Sequence, residues 1–205
     1  MEIDSLFNMD GQSHLLLNPR LSENEYNLYQ SFFDSSADFK DHIWILSSGS
    51  SQSADESAKL IGLSKKAFLA SANATNRFLQ VTDKDRWAVS LPNFHVGGLS
   101  IRARCMLAGA TAVQQPHDLK EAAEFIEWLE KENITLLSLV PTQIFDLVKN
   151  ELRAPPKLRA VMVGGAALEE GLYLRARSLG WPLLPSYGMT ETCSNIATAP
   201  LDSLQ

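Results

Sequence analysis

Between residues 86 and 185 the chain alternates two kinds of pattern. Short apolar runs at residues 86–91, 111–114, 134–140, 158–163 and 181–185 read as strands, and the stretches between them read as helices. The periodicity is clearest after residue 118, where Ala122, Phe125, Ile126 and Leu129 recur at i, i+3, i+4 and i+7. That helix is predicted to begin at Asp118, with Glu121 completing its cap. Further helices are expected at 96–107, from Pro141 onward and at 169–179, Pro141 standing in a first turn where its missing N–H is not needed. Runs that are apolar throughout belong to strands buried on both faces. The expected class is therefore α/β: a mostly parallel sheet flanked by helices on both faces.

Upstream the pattern is sparser. Residues 1–20 are polar and read as irregular, and Ser22 with Glu25 forms a capping box for a helix reaching about Phe33. Short apolar strands are expected at 43–46 and 60–63. Ser64 then caps a helix to about Leu79 that carries Ala67, Ala70, Ala74 and Phe78. This divides the chain into an N-terminal extension and helix, residues 1–40, and an α/β unit, residues 41–205.

Composition removes several classes of function. A net charge of −6 argues against a nucleic-acid partner, which would require clustered Lys and Arg. No apolar run approaches the length of a membrane span. The first residues include Glu2, Asp4 and Asp10 and lack the basic and apolar regions of a signal peptide, so a cytoplasmic location is expected. Cys105 and Cys193 lie far apart without ligand spacing and read as reduced packing residues. His14, His42 and His117 stand in no motif, and no two histidines have the spacing of a zinc site.

In parallel sheets ligands gather outside the carboxyl ends of the strands, and four segments fall there. Ser47, Ser48, Gly49, Ser50 and Ser51 follow the strand at 43–46 and offer hydroxyls and backbone N–H groups to a phosphate. Alone they read equally as a flexible polar loop. Leu91-Pro92-Asn93-Phe94-His95-Val96-Gly97-Gly98-Leu99 places His95 at a helix start, where a histidine that merely bonds its own loop is the plainer reading. Gly164, Gly165, Ala166 and Ala167 follow the strand at 158–163 and serve either tight packing or space for a ligand. Pro185-Ser186-Tyr187-Gly188-Met189-Thr190-Glu191-Thr192 joins an aromatic face, a glycine, a hydroxyl and a carboxylate, the groups that a nucleotide and its Mg²⁺ require. Isolated, Glu191 would be a solvated carboxylate.

Taken in order, these segments resemble signatures of the adenylate-forming superfamily: acyl-CoA ligases, luciferases and peptide-synthetase adenylation domains. The resemblance covers residues 43–200. It implies that the serine loop and Lys59 cradle the phosphates of ATP, and that His95 stands beside the acyl carboxylate. It also implies that Gly164, Gly165 and Ala166 make room for adenine and acyl group, with Tyr187, Gly188 and Met189 lining the nucleotide. Tyr187 would stack on adenine, Thr190 contact the α-phosphate and Glu191 hold Mg²⁺. The chain departs from the family at the phosphate loop. Seven residues, 52–58, separate Ser51 from Lys59 where the family has three; its second glycine and proline are absent, and Asp55 and Glu56 add negative charge. Lengthening costs little, about 0.6 kcal/mol per doubling; the charges point to weakened or altered ATP binding, the alternative being a loop that closes only on ligand.

Within the superfamily the wording of residues 67–74, 85–92, 95–99 and 104–109, with Leu17-Asn18-Pro19-Arg20, resembles o-succinylbenzoate–CoA ligases of menaquinone biosynthesis. The implied reaction joins a carboxylic acid to ATP as an acyl-adenylate, releasing pyrophosphate, and the thiol of CoA then displaces AMP. The family also uses an aspartate for the ribose hydroxyls, a hinge and a mobile C-terminal domain with a lysine, none of which has a counterpart before Gln205. Residues 41–205 are thus expected to be a partial adenylation domain, inactive by itself and prone to self-association through uncovered surface. The alternative is a non-catalytic nucleotide- or acyl-binding protein acting as a partner or sensor. A P-loop NTPase lacks its Gly-x-x-x-x-Gly-Lys-Ser/Thr motif here.

Overall fold

The computed structural model describes residues 3–47, 58–119 and 121–204. The larger of two sheets contains β4 (Arg86–Val89), β5 (Thr111–Gln114), β6 (Leu136–Leu139), β7 (Ala160–Val163), β8 (Leu183–Met189) and β9 (Ser194–Thr198), in the order β5-β4-β6-β7-β8-β9. Pairings are parallel as far as β8, while β9 returns antiparallel against it. Every residue of β6 and β7 is buried, as expected of apolar strands covered on both faces.

The smaller sheet joins β1 (His14–Leu16), β2 (His42–Leu46) and β3 (Leu60–Ser64), with β1 parallel to β2 and β2 antiparallel to β3. Three expectations are corrected here. Part of the segment read as irregular, residues 14–16, is a strand. The strands at 43–46 and 60–63 form a separate antiparallel pair rather than part of the parallel sheet, because no helix intervenes to carry the chain back. Residues 194–198 were not expected to be a strand at all.

The helices are α1 (Glu23–Ser35), α2 (Lys65–Leu79), α3 (Val96–Ala108), α4 (Ala122–Lys131), α5 (Pro141–Lys149) and α6 (Glu170–Ser178). The Oγ of Ser64 accepts the Ala67 N–H at 3.2 Å and starts α2. The expected start of α4 at Asp118 is corrected by four residues. Glu121 is its N-cap, and the Glu124 carboxylate accepts the Glu121 N–H at 3.2 Å.

Alternate strand residues divide between two cores. Leu137, Leu139, Val161, Val163 and Leu183 pack with Trp128 and Leu129 of α4, Ile144 and Leu147 of α5, and Ala176 of α6. On the opposite face Trp87, Val89, Leu136, Met162 and Leu184 pack with Leu79 of α2 and with Ile101 and Cys105 of α3. Helix α3 also sends Leu99 and Ala103 into a third core with Ile43 and Ile45 of β2, Leu63 of β3 and Phe68 of α2. It is buried on most sides and is the wall shared by the two sheets.

At the amino ends of the parallel strands, Asp85 accepts hydrogen bonds from Nε and one terminal nitrogen of Arg159, each at 2.8 Å, from the Thr135 hydroxyl at 2.7 Å and from the Thr82 N–H at 2.9 Å. These contacts tie β4, β6 and β7 together at the edge away from the loops considered next.

Candidate functional site

A cleft of about 770 Å³ opens at the carboxyl ends of the strands, between the large sheet and the end of the β2–β3 pair. Its size suits a ligand larger than a single metabolite acid.

The loop after β4 enters it first. Gly98 faces the carbonyl oxygens of Leu91 and Pro92 so closely that any side chain there would run into them. A Cβ on Gly97 would lie 3.2 Å from Leu91 Cδ1. The two glycines therefore let the chain reverse tightly into α3, with His95 at its N-cap and lining the cleft. The His95 ring is half-buried against Phe94, with ring centroids 4.7 Å apart. Burial holds it below its ordinary pKa, so it is neutral at pH 7.

Gly164 and Gly165 line the cleft after β7. Gly165 adopts a φ of +85°, and a Cβ there would sit 3.3 Å from Val140. Ala166 is exposed and does not line the cleft.

The end of β8 supplies Gly188 and Met189, and the turn from β8 to β9 supplies Thr190 and Glu191. Its shape is held by the Thr192 hydroxyl, which accepts the Met189 N–H at 3.1 Å and lies 2.8 Å from the Ser194 carbonyl. Cys193 and Ser194 carry positive φ angles of 57° and 101°, a conformation that costs about 1–3 kcal/mol per residue and clusters at ligand sites. A side chain on Gly188 would collide with the Ser194 carbonyl and with Asn195, so glycine allows β9 its close approach. Thr190 is buried and Glu191 exposed. Tyr187 is 60% exposed and stands outside the cleft, since Ser186 and Gly188, its neighbours along the strand, face inward.

Ser47 and Lys59 extend the β2–β3 ladder by one step. The Ser47 N–H donates to the Lys59 carbonyl at 2.9 Å, and the Lys59 N–H donates to Ser47 Oγ at 3.1 Å. Both residues line the cleft, so the serine loop begins and ends at its rim. Ser48, Gly49, Ser50 and Ser51, with Asp55 and Glu56, lie outside the described residues.

No group of three His, Cys, Asp or Glu side chains capable of holding a metal occurs among the described residues. One carboxylate, Glu191, faces the cleft from this turn. That fits Mg²⁺, which retains several waters and binds through one or two carboxylates together with substrate phosphates.

The sequence reading missed the floor of the cleft. Arg104, from the middle of α3, is 2% exposed and lines it. One terminal nitrogen donates to Asn195 Oδ1 at 2.6 Å and to Ser194 Oγ at 3.1 Å, and the guanidinium lies 5.2 Å from the centre of the Trp87 ring. Among the described residues no carboxylate comes within ion-pair distance of it, and its Nε has no hydrogen-bond partner. Burial lowers its pKa to about 10, which leaves it cationic at neutral pH. A buried cation with only neutral partners is costly unless something anionic completes it. Its signal in the sequence is weak: Arg104 is one of two arginines, with Arg102, in a mostly apolar helix, and only the packing tells the buried one from the other.

Comparison with known proteins shows the family and the fold. Residues 57–205 match the family described as AMP-binding enzyme. The 2-succinylbenzoate–CoA ligase of Bacillus subtilis is 34% identical over 131 residues, 64% of this chain and 26% of that protein. The chain thus spans about a quarter of the length of such relatives. A structure of o-succinylbenzoate CoA synthetase from Bacillus subtilis with the acyl-adenylate intermediate OSB-AMP is similar at a TM-score of 0.71 and 25% identity, covering 97% of this chain and 44% of that one. The same enzyme with ATP and magnesium ion gives a TM-score of 0.71 over 98% of this chain and 45% of that one, its 24% identity speaking to the fold alone.

Proposed function

The chain belongs to the AMP-binding enzymes, and from that membership we propose that its cleft binds ATP with Mg²⁺ beside a carboxylic acid and forms an acyl-adenylate, as part of an acid–CoA ligase acting on an o-succinylbenzoate-type acid. The observation that carries the choice of acid is Arg104. An aryl acid with a second carboxylate can be activated at one end and held at the other, and a buried cation without an ionic partner on the cleft floor suits the second end. The bacterial relatives act on such an acid by name.

In this reading the reacting carboxylate lies near the start of α3, where first-turn N–H groups and neutral His95 favour an anion without competing for it. Ser47, Lys59 and the serines between them hold the phosphates. Thr190 donates to the α-phosphate, and adenine lies at the rim by exposed Tyr187, with Gly164 and Gly165 leaving room for it; Ala166, expected to do the same, stands outside the cleft. Glu191 holds Mg²⁺, which when bound offsets phosphate charge. The protein mainly aligns the two reactants and stabilises charge at the α-phosphate. Residues 41–205 form part of an adenylation domain, with residues 1–40 an extension to it. Transfer of the acyl group to the thiol of CoA, with release of AMP, is part of the same proposal. No helix among the described residues is long and apolar enough to cross a membrane; a cytoplasmic location is part of the proposal. Exposed Tyr187, Met189 and Ile196 offer a surface for self-association.

The test is equilibrium binding of ATP with and without Mg²⁺, together with pyrophosphate exchange dependent on o-succinylbenzoate. Mg²⁺-dependent ATP binding that Glu191→Gln weakens at least tenfold supports the reading. Nucleotide binding indifferent to both Mg²⁺ and Glu191 removes it. The lengthened, acidic phosphate loop favours a second reading, a protein that binds nucleotide or acyl group without turnover. Binding of ATP with no exchange, when this segment is joined to the remaining length of a relative, would select it.

A further inference from the structure

Arg104 is held by an amide where a carboxylate would make the stronger bond. Asn195 lies opposite Gly188 in the β8–β9 pair and is drawn over the cleft floor by the close approach that glycine permits. Its Oδ1 accepts from Arg104, and Thr75 Oγ lies 3.2 Å from the same oxygen. Its Nδ2 donates to Thr198 Oγ at 3.1 Å, and Thr198 is in turn 3.3 Å from Ser186 Oγ. This orientation is forced, because a guanidinium can only donate and so requires the amide oxygen. Asn195 thereby fixes the direction of Arg104 without neutralising it.

We infer that Asn195 is a specificity-determining positioning residue: it orients Arg104 through a neutral hydrogen bond, so that the guanidinium charge is left for a second carboxylate on the bound acid. The inference rests on the proposed acyl site and concerns why that site would select diacids. Aspartate at 195 is nearly isosteric and would keep the bond to Arg104. It would also supply internally the anion that the substrate is meant to bring, and so make the floor indifferent or repulsive to a diacid. Alanine would loosen Arg104 but leave its charge available.

The two roles of Asn195 therefore predict opposite orders of effect. If it only anchors β9, Asn195→Asp, which keeps the bond, is the milder change. If it preserves the charge of Arg104, Asn195→Asp is the more damaging one for diacid selection. The experiment measures by calorimetry the affinities of the wild-type chain, Asn195→Asp and Asn195→Ala for o-succinylbenzoate and for 4-oxo-4-phenylbutanoate, which has the same skeleton without the ring carboxylate. The ratio of the two affinities reports on Arg104, whereas a general loss of folding would lower both together. The wild type is expected to prefer the diacid by ~10-fold or more, the scale of a charged hydrogen bond. Asn195→Asp should bring that ratio close to one, and Asn195→Ala should reduce it less. A wild-type preference retained in Asn195→Asp overturns the inference and leaves the proposed acyl site standing. A wild type that binds both acids equally, or neither, removes the proposed site and the inference with it.

Discussion

Asp85 accepts hydrogen bonds from Arg159, Thr135 and Thr82, one pair of them from a guanidinium, while Arg104 meets only neutral acceptors. Partial burial pushes the Asp85 carboxyl up, but the bonds from Arg159, Thr82 and Thr135 and the Arg159 charge outweigh it and hold the pKa at about 2. A depressed carboxylate stabilises the fold fully above its unfolded value, 3.8, and loses that contribution as pH falls toward about 2. Because Arg159 is one-third exposed, solvent screening reduces the contribution to about 1–2 kcal/mol. Urea midpoints should therefore show the wild type ahead of Asp85→Asn by that amount at pH 6, with the gap closing between about pH 4 and 2. A gap unchanged by acid would assign Asp85 a packing role instead. Arg104 gives the opposite expectation. Replacing an unpaired buried cation by an apolar side chain of similar length often leaves stability unchanged or raises it, by up to about 1–4 kcal/mol. Arg104→Met should hold or raise the thermal midpoint while losing the preference for o-succinylbenzoate. A fall of several degrees would mean that the bonds to Asn195 and Ser194 carry structural weight.

Among the elements, the turn from β8 to β9 concentrates the most constraint in the fewest residues. Gly188 admits the backbone of β9, Thr192 closes the turn, and Cys193 and Ser194 adopt left-handed backbone to complete it. Gly188→Ala should cost about 1–3 kcal/mol or more, the range of overpacking and backbone shifts, and should weaken acid binding further by moving Asn195. Chemical denaturation and calorimetry read the two effects separately, and a variant as stable as wild type would contradict the close approach of β9. The sequence announced Gly188 through its motif but not β9, whose residues are partly exposed and lack an apolar run. Strands β4, β6 and β7 were legible because burial writes continuous hydrophobicity into the chain, most fully in β6 and β7, whereas β5 and the outer half of β8 are partly exposed and were read from their place in the alternation. Strand β1, three residues long and only half-buried, left no comparable mark. The β2–β3 pair was legible as strands but misassigned to the parallel sheet. The lack of a helical stretch between them was the available signal. The motif glycines and His95 were found from local wording, whereas Arg104 and Asn195 meet only through tertiary packing, 91 residues apart.

At the scale of the whole molecule, the cleft belongs to neither sheet. Ser47 and Lys59 come from the end of the small sheet, and Gly164, Gly188 and Thr190 from the large one; α3, packed into both cores, is what holds the two together. A ligand contacting both rims should therefore stabilise the molecule as a unit. At a concentration 100-fold above its dissociation constant it adds about 2.7 kcal/mol. For a chain of this size that corresponds to a thermal shift of about 5–11 °C. Hydrogen exchange locates the effect. With ATP and Mg²⁺, slowed exchange is expected at the amides of Ser47 and Lys59, at the rim of the small sheet, and together with them at Met189 and Thr190. Protection limited to the β8–β9 turn would mean that the lengthened loop takes no part in holding the phosphates. Because α3 carries packing from one sheet to the other, shortening one of its side chains should couple the two rims in the same measurement. Leu99→Ala, on the small-sheet side of the helix, should cost about 2–5 kcal/mol. It should also reduce ligand protection at Met189, on the large-sheet side, although Leu99 is not among the residues lining the cleft. Loss of protection at Ser47 and Lys59 alone would show the sheets to respond separately and α3 to be a passive spacer.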